Sequence, residues 1–471
     1  MDEYDLIVLG GGPVGENVAD RVVQAGLTAV IVESELVGGE CSYWACMPSK
    51  ALLRPAQALR SAKRVQGSAE AVTGGLDVRA VLARRNGFAS DWSDDGQVGW
   101  LRSAGIDLVR GHGRLVGPRE VEVATADGER RTLYARHAVA ISTGSDAVVP
   151  DIPGLRDAGP WTSREATSAQ EVPASLAVIG GGVVAVEMAT AYAALGSDVT
   201  VIARHGLLGG MEAFAGEQVA EGLRELGVDV RTDTGVDRVE RREAAVVVTT
   251  DAGEVVASEV LVATGRRART EDLGLETVGL EPGAWIRTDD TLRVPGVDGL
   301  YAVGDVNGRV LLTHQGKYQA RAAGDAIAAR ALGEPVDEQP WGRHVATADA
   351  AAVPQVVFSE PEVAAVGLTE AAAREAGRRV RAVDVEFSSV AGAGLHEDGY
   401  RGRARMVVDE DRGVLLGVTM AGRDVAELIH AATIAVVGEV PLARLWHAVP
   451  SYPTMSEVWL RLLEAYGRDS A

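Results

Sequence analysis

The sequence predicts an α/β protein with two Rossmann-like domains and a C-terminal α+β domain. Two glycine fingerprints, each between a buried strand and a helix, begin at Gly10 and Gly180, 170 residues apart. Because one dinucleotide needs only one such fingerprint, the repetition predicts two bound dinucleotides. After Pro340 the pattern changes to short strands and one apolar helix, which indicates a third kind of domain.

Length and charge restrict the function. The 471 residues are enough for two to four domains with substantial cores. A net charge of −21 argues against nucleic acid or an anionic membrane as a partner. The acidic N-terminus enters a strand at once, unlike a signal peptide, and no apolar run approaches the roughly 20 residues of a membrane span. We therefore expect a cytoplasmic protein that acts on a small molecule, and we predict no metal site.

The first fingerprint lies at the start of the chain. A buried-strand run, residues 6–9, leads into Gly10, Gly12 and Gly15, and the next apolar strand ends at Glu33. Glycines at this spacing let the backbone approach a pyrophosphate at a helix N-terminus, while the acid binds a ribose hydroxyl. A tight strand–helix turn without a ligand is the alternative interpretation.

The second fingerprint follows a stretch rich in proline and glycine, residues 150–160, which we interpret as a domain crossing. Residues 177–179 form the predicted strand, and Gly180 and Gly182 open the predicted helix. This arrangement predicts the second dinucleotide site.

The choice between NADH and NADPH is made where the next strand ends. An acid there would bind the ribose of NAD, whereas an arginine accommodates the 2′-phosphate of NADP. Ala203 occupies the position of the acid, and Arg204 and His205 follow it. We therefore predict NADPH as the cofactor rather than NADH, with a surface Arg–His pair that binds no ligand as the alternative.

The two cysteines of the chain, Cys41 and Cys46, lie in the segment GGECSYWACMPSKALL, residues 38–53. A helix N-terminus or a nearby cation favours the reactive thiolate, and Lys50 follows closely. In a regular helix, Cα atoms five residues apart are roughly 8–9 Å apart, too far for a disulfide. Either the first turn of the helix is distorted or the cysteines never pair. Two small buried residues are the alternative.

This segment resembles the redox-active segment of the class I pyridine nucleotide–disulfide oxidoreductases, which include dihydrolipoamide dehydrogenase, glutathione reductase and mercuric reductase. The resemblance implies that Cys46 faces a flavin as the charge-transfer thiolate and that Cys41 exchanges with the substrate. It also implies that Lys50 pairs with Glu187 beside the flavin, whereas a solvated helix acid is the alternative for Glu187. The residues of the segment that depart from the family pattern are Glu40, Tyr43, Trp44 and Ala45.

The same resemblance assigns the first fingerprint to the ADP half of FAD. Gly144 lies in a strand-to-glycine turn that returns the chain to FAD, and Gly265 closes the second domain in the same way. In residues 291–305, TLRVPGVDGLYAVGD, Asp305 would bind the ribityl hydroxyls of FAD and Gly304 would let the backbone close.

The resemblance covers essentially the whole chain and implies three domains and a homodimer. We predict a split FAD-binding domain at residues 1–150 and 276–340, an NAD(P)-binding domain at residues 151–275, and a dimerisation domain at residues 341–471.

The end of the chain departs from the family pattern. The family closes with His-Pro-Thr-x-Ser-Glu, which the dimer delivers to the thiols of the partner subunit. Here Tyr452 stands in the place of the histidine, Glu457 matches the glutamate, and His447 lies out of register.

We therefore expect an FAD-dependent enzyme that passes electrons from NAD(P)H through FAD and the Cys41–Cys46 pair to a small disulfide. An NAD(P)H:quinone or other electron-acceptor reductase, in which the thiols are secondary, is the alternative. A flavin-binding redox sensor with little turnover is a third hypothesis.

Overall fold

The computed structural model describes residues 2–468, which divide into two compact units. The first unit contains the residues up to Pro48 together with Asn86–Val148 and Gly265–Asp349. The second unit contains Ser49–Arg85, Val149–Thr264 and the residues from Ala350 onward. The three-domain division predicted above stays a prediction.

In chain order, the strands of the described residues are β1 (Asp2–Leu9), β2 (Ala29–Glu33), β3 (Asp107–Arg110), β4 (His112–Gly117), β5 (Glu120–Ala124), β6 (Arg130–Ile141), β7 (Ser145–Ala147), β8 (Ser175–Ile179), β9 (Asp198–Ile202), β10 (Asp229–Arg231), β11 (Val236–Arg242), β12 (Ala245–Thr250), β13 (Gly253–Ala257), β14 (Glu259–Val262), β15 (Arg266–Ala268), β16 (Leu300–Ala302), β17 (Pro354–Val357), β18 (Glu362–Gly367), β19 (Val380–Glu386), β20 (Arg403–Asp409) and β21 (Val414–Gly422).

The α-helices of the same residues are α1 (Pro13–Gln24), α2 (Gly39–Tyr43), α3 (Cys46–Lys63), α4 (Val78–Phe88), α5 (Asp95–Ala104), α6 (Ser163–Ser168), α7 (Val183–Ala194), α8 (Ala213–Glu225), α9 (Thr313–Leu332), α10 (Ala348–Ala351), α11 (Glu370–Glu375), α12 (Ala391–His396), α13 (Ile429–Val437), α14 (Leu442–Leu445) and α15 (Val458–Tyr466).

The sheet of the first unit has parallel strands at its centre. Its order is β3-β2-β1-β6-β5-β4, and β16 also pairs with β6. Strands β1, β2, β3 and β16 run parallel to their neighbours, whereas β4 and β5 are antiparallel. Residues 6–9 of β1 are buried, as expected for a parallel strand covered on both faces. Helices α1 and α9 pack together and share a core cluster with Leu6 and Val8.

The second unit contains a parallel sheet and two antiparallel sheets. The parallel sheet has the order β10-β9-β8-β14 and packs against the alanine-rich helix α7. The antiparallel sheets are β11-β12-β13 and β17-β18-β21-β20-β19, and the five-stranded sheet packs against α13 and α15. The predicted α/β class with two Rossmann-like parallel sheets and a C-terminal α+β part is confirmed. Between residues 2 and 468, no helix is both long and apolar enough to cross a membrane.

Candidate functional site

The first fingerprint forms a narrow turn between β1 and α1. Gly10 has φ +102°, and a Cβ atom there would lie 2.5 Å from the carbonyl oxygen of Ser142. A Cβ at Gly15 would lie 2.0 Å from the carbonyl oxygen of Gly10, so α1 can approach the turn only with glycine at this position. Gly12 is the N-cap of α1, and no side chain among residues 2–468 caps this helix. Its first N–H groups therefore suit a phosphate.

Glu33 braces this turn from the end of β2. Its Oε2 accepts a hydrogen bond from the Gly11 N–H at 2.6 Å, and its Oε1 accepts one from the Glu35 N–H at 2.6 Å. A cavity of about 240 Å³ opens beside it, lined by Glu33, Asp146 and Arg269 among others. The Glu33 carboxylate makes this lining suitable for the ribose hydroxyls of a nucleotide, and Arg269 is paired with Asp146 beside it.

Asp305 lies in the same unit and is held by a short hydrogen-bond chain. The Ser145 hydroxyl donates to Asp305 Oδ2 at 2.6 Å. Arg266 donates through Nε to Ser145 Oγ at 2.7 Å and through Nη2 to the Ser145 carbonyl at 2.6 Å. Burial raises the pKa of the Asp305 carboxyl, while the Ser145 hydrogen bond and the Arg266 charge oppose the rise. The half-buried carboxylate has acceptor capacity suited to ligand hydroxyls.

A glycine precedes each residue of this hydrogen-bond chain: Gly304 before Asp305, Gly144 before Ser145 and Gly265 before Arg266. Gly304 has φ +83°, Gly144 has φ +76° and Gly265 has φ +138°, a region that favours glycine. Strands β7 and β15, which follow Gly144 and Gly265, pair in antiparallel fashion. The two return turns predicted from the resemblance thus meet in one place.

Gln319 supports the turn of Gly304, and the sequence did not single it out. Its Oε1 accepts hydrogen bonds from the Gly304 N–H and the Asn307 Nδ2, both at 2.8 Å. Its Nε2 donates to Asp349 Oδ2 at 2.9 Å, and Arg309 Nε lies 2.9 Å from the same oxygen. A glutamine among the alanines of α9 was the signal available in the sequence, and the structure shows that this glutamine is fully buried.

The second fingerprint has the same backbone geometry as the first. The Gly180 N–H donates to the Ile202 carbonyl at 2.9 Å, as the Gly10 N–H donates to the Val32 carbonyl. A Cβ at Gly181 would lie 3.2 Å from Cβ of Ala203, so Ala203 occupies the place that Glu33 has in the first fingerprint.

Arg204 and His205, which follow Ala203, are exposed just beyond the end of β9. Gly180 has φ +134°, and Gly182 is the N-cap of α7. This end of the second parallel sheet therefore presents a helix N-terminus and two basic side chains, and no carboxylate at the ribose position.

The helix is interrupted between the two cysteines. Cys41 lies in α2, which ends before Trp44 at φ −136° and ψ 6°, and α3 begins at Cys46. The distance expected for one regular helix therefore does not apply to this pair. Cys46 Sγ lies 3.5 Å from the hydroxyl oxygen of Thr313, the first residue of α9. A hydroxyl at this distance can donate a hydrogen bond to a thiolate.

Lys50 and Glu187 form an ion pair in the second unit, and the carboxylate of this pair is buried. Lys50 Nζ lies 2.7 Å from Glu187 Oε2, and Glu187 is 3% exposed. The Phe358 N–H donates to Glu187 Oε1 at 3.0 Å, and Lys50 Nζ lies 5.0 Å from the centroid of the Phe358 ring. The alternative of a solvated helix acid is therefore wrong, because Glu187 is enclosed and both its oxygens are bound.

The two C-terminal candidates, Tyr452 and Glu457, differ in how far they are exposed to solvent. The Tyr452 side chain is 76% exposed, whereas Glu457 is 4% exposed. Glu457 Oε1 lies 2.6 Å from Nη2 of Arg461, and its Oε2 has no hydrogen-bond partner among residues 2–468. Within the same residues, no hydrogen bond joins the Tyr452 phenol to the Glu457 carboxylate. His447 is exposed just after α14, and His314 is exposed at the start of α9.

Glu16 is a buried acid in α1 that the sequence did not indicate. Burial raises its pKa to about 7, the charge of Lys317 opposes the rise, and Glu33 adds to it. Its Oε1 has no hydrogen-bond partner in the described part of the chain.

In the same part of the chain, no group of three or more His, Cys, Asp or Glu side chains is placed to hold a metal ion.

Comparisons with known proteins agree with this arrangement. Residues 4–323 match the family model "Pyridine nucleotide-disulphide oxidoreductase", and residues 353–463 match the dimerisation domain of the same family. The chain is 34% identical to a dihydrolipoyl dehydrogenase of Chlorobaculum tepidum over 97% of this chain and 95% of that protein. It is 32% identical to a mercuric reductase of Shigella flexneri over 98% of this chain and 81% of that protein.

Among solved structures, the HOCl-induced flavoprotein disulfide reductase RclA of Escherichia coli superposes with a TM-score of 0.82 at 25% identity. The match covers 98% of this chain and 99% of that one. A Cu(II) complex of the same reductase gives a TM-score of 0.84 at 25% identity, with the same coverage. With two family models that together span most of the sequence, the chain belongs to the pyridine nucleotide–disulfide oxidoreductases, enzymes that use FAD and a nicotinamide cofactor.

Proposed function

We propose that this enzyme passes two electrons from NADPH through FAD and the Cys41–Cys46 pair to a small disulfide. The observation that carries the proposal is the helix break between the two cysteines, which leaves Cys46 at the start of α3 and 3.5 Å from Thr313. Bound FAD supplies the carrier that accepts a hydride and releases two electrons.

The residues present fit FAD. The turn has no room for a side chain at Gly10 or Gly15, and glycine at position 12 leaves the N-terminus of α1 open where a pyrophosphate would lie. Glu33 would accept from the ribose hydroxyls, and Asp305 would accept from the ribityl hydroxyls of the flavin. These carboxylates are already oriented by hydrogen bonds to Gly11 and Ser145, which limits the reorganisation that binding requires.

The two cysteines would divide the thiol chemistry between them. The Cys41 thiolate would attack one sulfur of the substrate disulfide and release the first thiol. The Cys46 thiolate would then attack the Cys41 sulfur, release the second thiol and leave a Cys41–Cys46 disulfide, which two electrons from NADPH reduce again. The N-terminus of the 18-residue helix α3 and the Thr313 hydroxyl both stabilise a thiolate at Cys46.

The pair of Lys50 and Glu187 would keep a positive charge in α3. Both Glu187 oxygens are bound, which orients the carboxylate toward the ammonium. Loss of Lys50 would leave the buried Glu187 carboxylate without its counter-charge. We propose that the ammonium of Lys50 assists electron transfer at the flavin, as the family resemblance implies.

Preference for NADPH rests on the end of β9. Arg204→Ala is expected to lower kcat/KM for NADPH about 10- to 100-fold with little change for NADH, because a charged hydrogen bond to a phosphate contributes about 1.5–3 kcal/mol. Steady-state kinetics with both cofactors measures the ratio. Arg238→Ala, at an exposed arginine of β11, is the matched control and should leave the ratio of kcat/KM for NADPH and NADH unchanged. An unaltered ratio in Arg204→Ala contradicts the assignment.

A second copy of the chain is the partner that we propose. Ile434 and Val437 of α13 are 58% and 38% exposed, and an exposed apolar face of this kind suits a protein interface. The match of residues 353–463 to a dimerisation domain supports the same assignment. In such a dimer the segment from Tyr452 to Glu457 would approach the thiols of the other subunit. A cytoplasmic location is part of the same proposal.

A panel of electron acceptors tests this function. The purified protein, with NADPH in excess, should reduce a small disulfide in a reaction that requires both cysteines. Efficient reduction of a quinone by the wild type and by a double Cys→Ser variant alike, with no disulfide turnover, would instead favour the quinone reductase. Negligible turnover with every acceptor would favour the redox sensor.

A further inference from the structure

A left-handed turn, Ser90–Trp92, lies between α4 and α5. Its three residues have φ values of +50°, +49° and +57°. None of them is glycine, and L-residues with side chains avoid this region, above all when they are bulky. Consecutive strained residues persist only where the surrounding structure holds them, and such strain concentrates at functional segments. This turn is named here the Ser90–Trp92 strap.

The strap contacts the place where α2 ends and α3 begins, which is called here the joint between the two cysteine-bearing helices. The indole Nε1 of Trp92 donates to the carbonyl oxygen of Tyr43 at 3.2 Å. Tyr43 is the last residue of α2 and precedes Trp44, so this bond is made where the helix breaks between Cys41 and Cys46. Two further residues after the strap hold the other end of the segment.

Ser93 and Asp94 make this second attachment. Asp94 is buried and its Oδ2 accepts from the Val37 N–H at 2.7 Å. The Tyr43 hydroxyl lies 2.9 Å from the Val37 carbonyl and 3.4 Å from the Ser93 carbonyl. The chain from Val37 to Tyr43, which contains Cys41, is thus held at both ends by residues 92–94 of the same unit.

We propose that Trp92 is a positioning residue that fixes the joint between Cys41 and Cys46 and thereby sets their thiol–disulfide equilibrium. The inference rests on the proposed function, because it takes the two cysteines to be a redox pair. Trp92 acts on this joint through the carbonyl of Tyr43.

The direction of the effect follows from chain entropy. A joint fixed by Trp92 restricts the dithiol to arrangements close to that of the disulfide, so closing the S–S bond costs less entropy. Without the indole hydrogen bond the dithiol gains freedom, and the reduced form is favoured. In exchange with dithiothreitol, the enzyme disulfide gains two electrons and two protons while dithiothreitol closes to its cyclic disulfide.

The test is Trp92→Phe in the holoenzyme, which keeps an aromatic ring and removes the indole N–H. The equilibrium constant for reduction by dithiothreitol should rise about 3- to 10-fold, the factor that a single neutral hydrogen bond corresponds to. Trp100→Phe, at an exposed tryptophan of the adjacent helix α5, is the matched control and should leave the constant unchanged. An equal constant in Trp92→Phe and wild type overturns the proposal.

A second measurement on the wild type does not depend on a folded variant. With 15N-labelled indoles, hydrogen exchange of the Trp92 N–H should be slower than that of the exposed Trp100 N–H. Equally fast exchange of the two indoles also overturns the proposal. If the wild type itself forms no Cys41–Cys46 disulfide, the proposed function fails instead, and the two failures are therefore distinguishable.

Discussion

Cys46→Ser is expected to lower NADPH-dependent disulfide reduction by about a thousandfold or more, because removal of a reacting nucleophile has effects of this order or larger. Serine cannot form the enzyme disulfide, and its hydroxyl is a far weaker nucleophile than a thiolate near neutral pH. Cys41→Ser should lose disulfide turnover to a similar extent. The measurement is kcat with lipoamide or another small disulfide at saturating NADPH.

Two controls separate loss of chemistry from loss of structure. Ser42 follows Cys41 in α2, and Ser42→Ala should retain disulfide turnover. FAD content and the rate of flavin reduction by NADPH should remain near the wild-type values in both cysteine variants. Substantial disulfide turnover in Cys46→Ser would show that the electrons reach the acceptor without the thiol pair.

Tyr452→His is expected to raise the reduction of lipoamide or glutathione disulfide by at least about tenfold. Thiol–disulfide exchange benefits from a group that accepts a proton from the attacking thiol and returns it to the leaving thiol, and such a group contributes about 10²–10⁴ in rate. Histidine titrates near neutral pH, whereas an unperturbed tyrosine has a pKa of about 10 and can donate a proton but seldom accept one. The wild type should therefore turn over these substrates weakly.

The surroundings of Tyr452 are consistent with this prediction. The phenol is exposed and makes no hydrogen bond to Glu457 within residues 2–468, and the carboxylate of Glu457 binds Arg461. His447→Ala is the control for the nearby histidine and should leave the rate unchanged. If the wild type already reduces these disulfides as fast as typical family members and Tyr452→Phe has no effect, this interpretation of the C-terminal segment is wrong.

The parts of the site that the sequence predicts are those with a fixed spacing. Gly10, Glu33 and Gly180 lie at strand ends whose register follows from a repeated strand–turn–helix pattern, so the position of Ala203 could be read before the structure was known. The proximity of Lys50 and Glu187, 137 residues apart, came from the family resemblance, since no local pattern connects them.

The remaining features depend on contacts that spacing does not reveal. Thr313 reaches Cys46 across 267 positions of sequence, and Trp92 reaches Tyr43 across 49. Periodicity left two possibilities for the cysteine segment, a distorted helix or cysteines that never pair. The break at Trp44 shows that the helix is interrupted, and helix propensity does not predict a break at this position.

The central claim is that Cys41 and Cys46 carry electrons between the flavin and the acceptor. Anaerobic titration of the oxidised holoenzyme with NADPH, combined with counting of accessible thiols in denaturant, tests it most directly. We expect no free thiols before reduction and two after the uptake of one hydride. We also expect a long-wavelength absorbance from the Cys46 thiolate to the flavin, which Cys46→Ser should lack. Two free thiols in the oxidised enzyme, with bleaching of the flavin as the first response to NADPH, would contradict it.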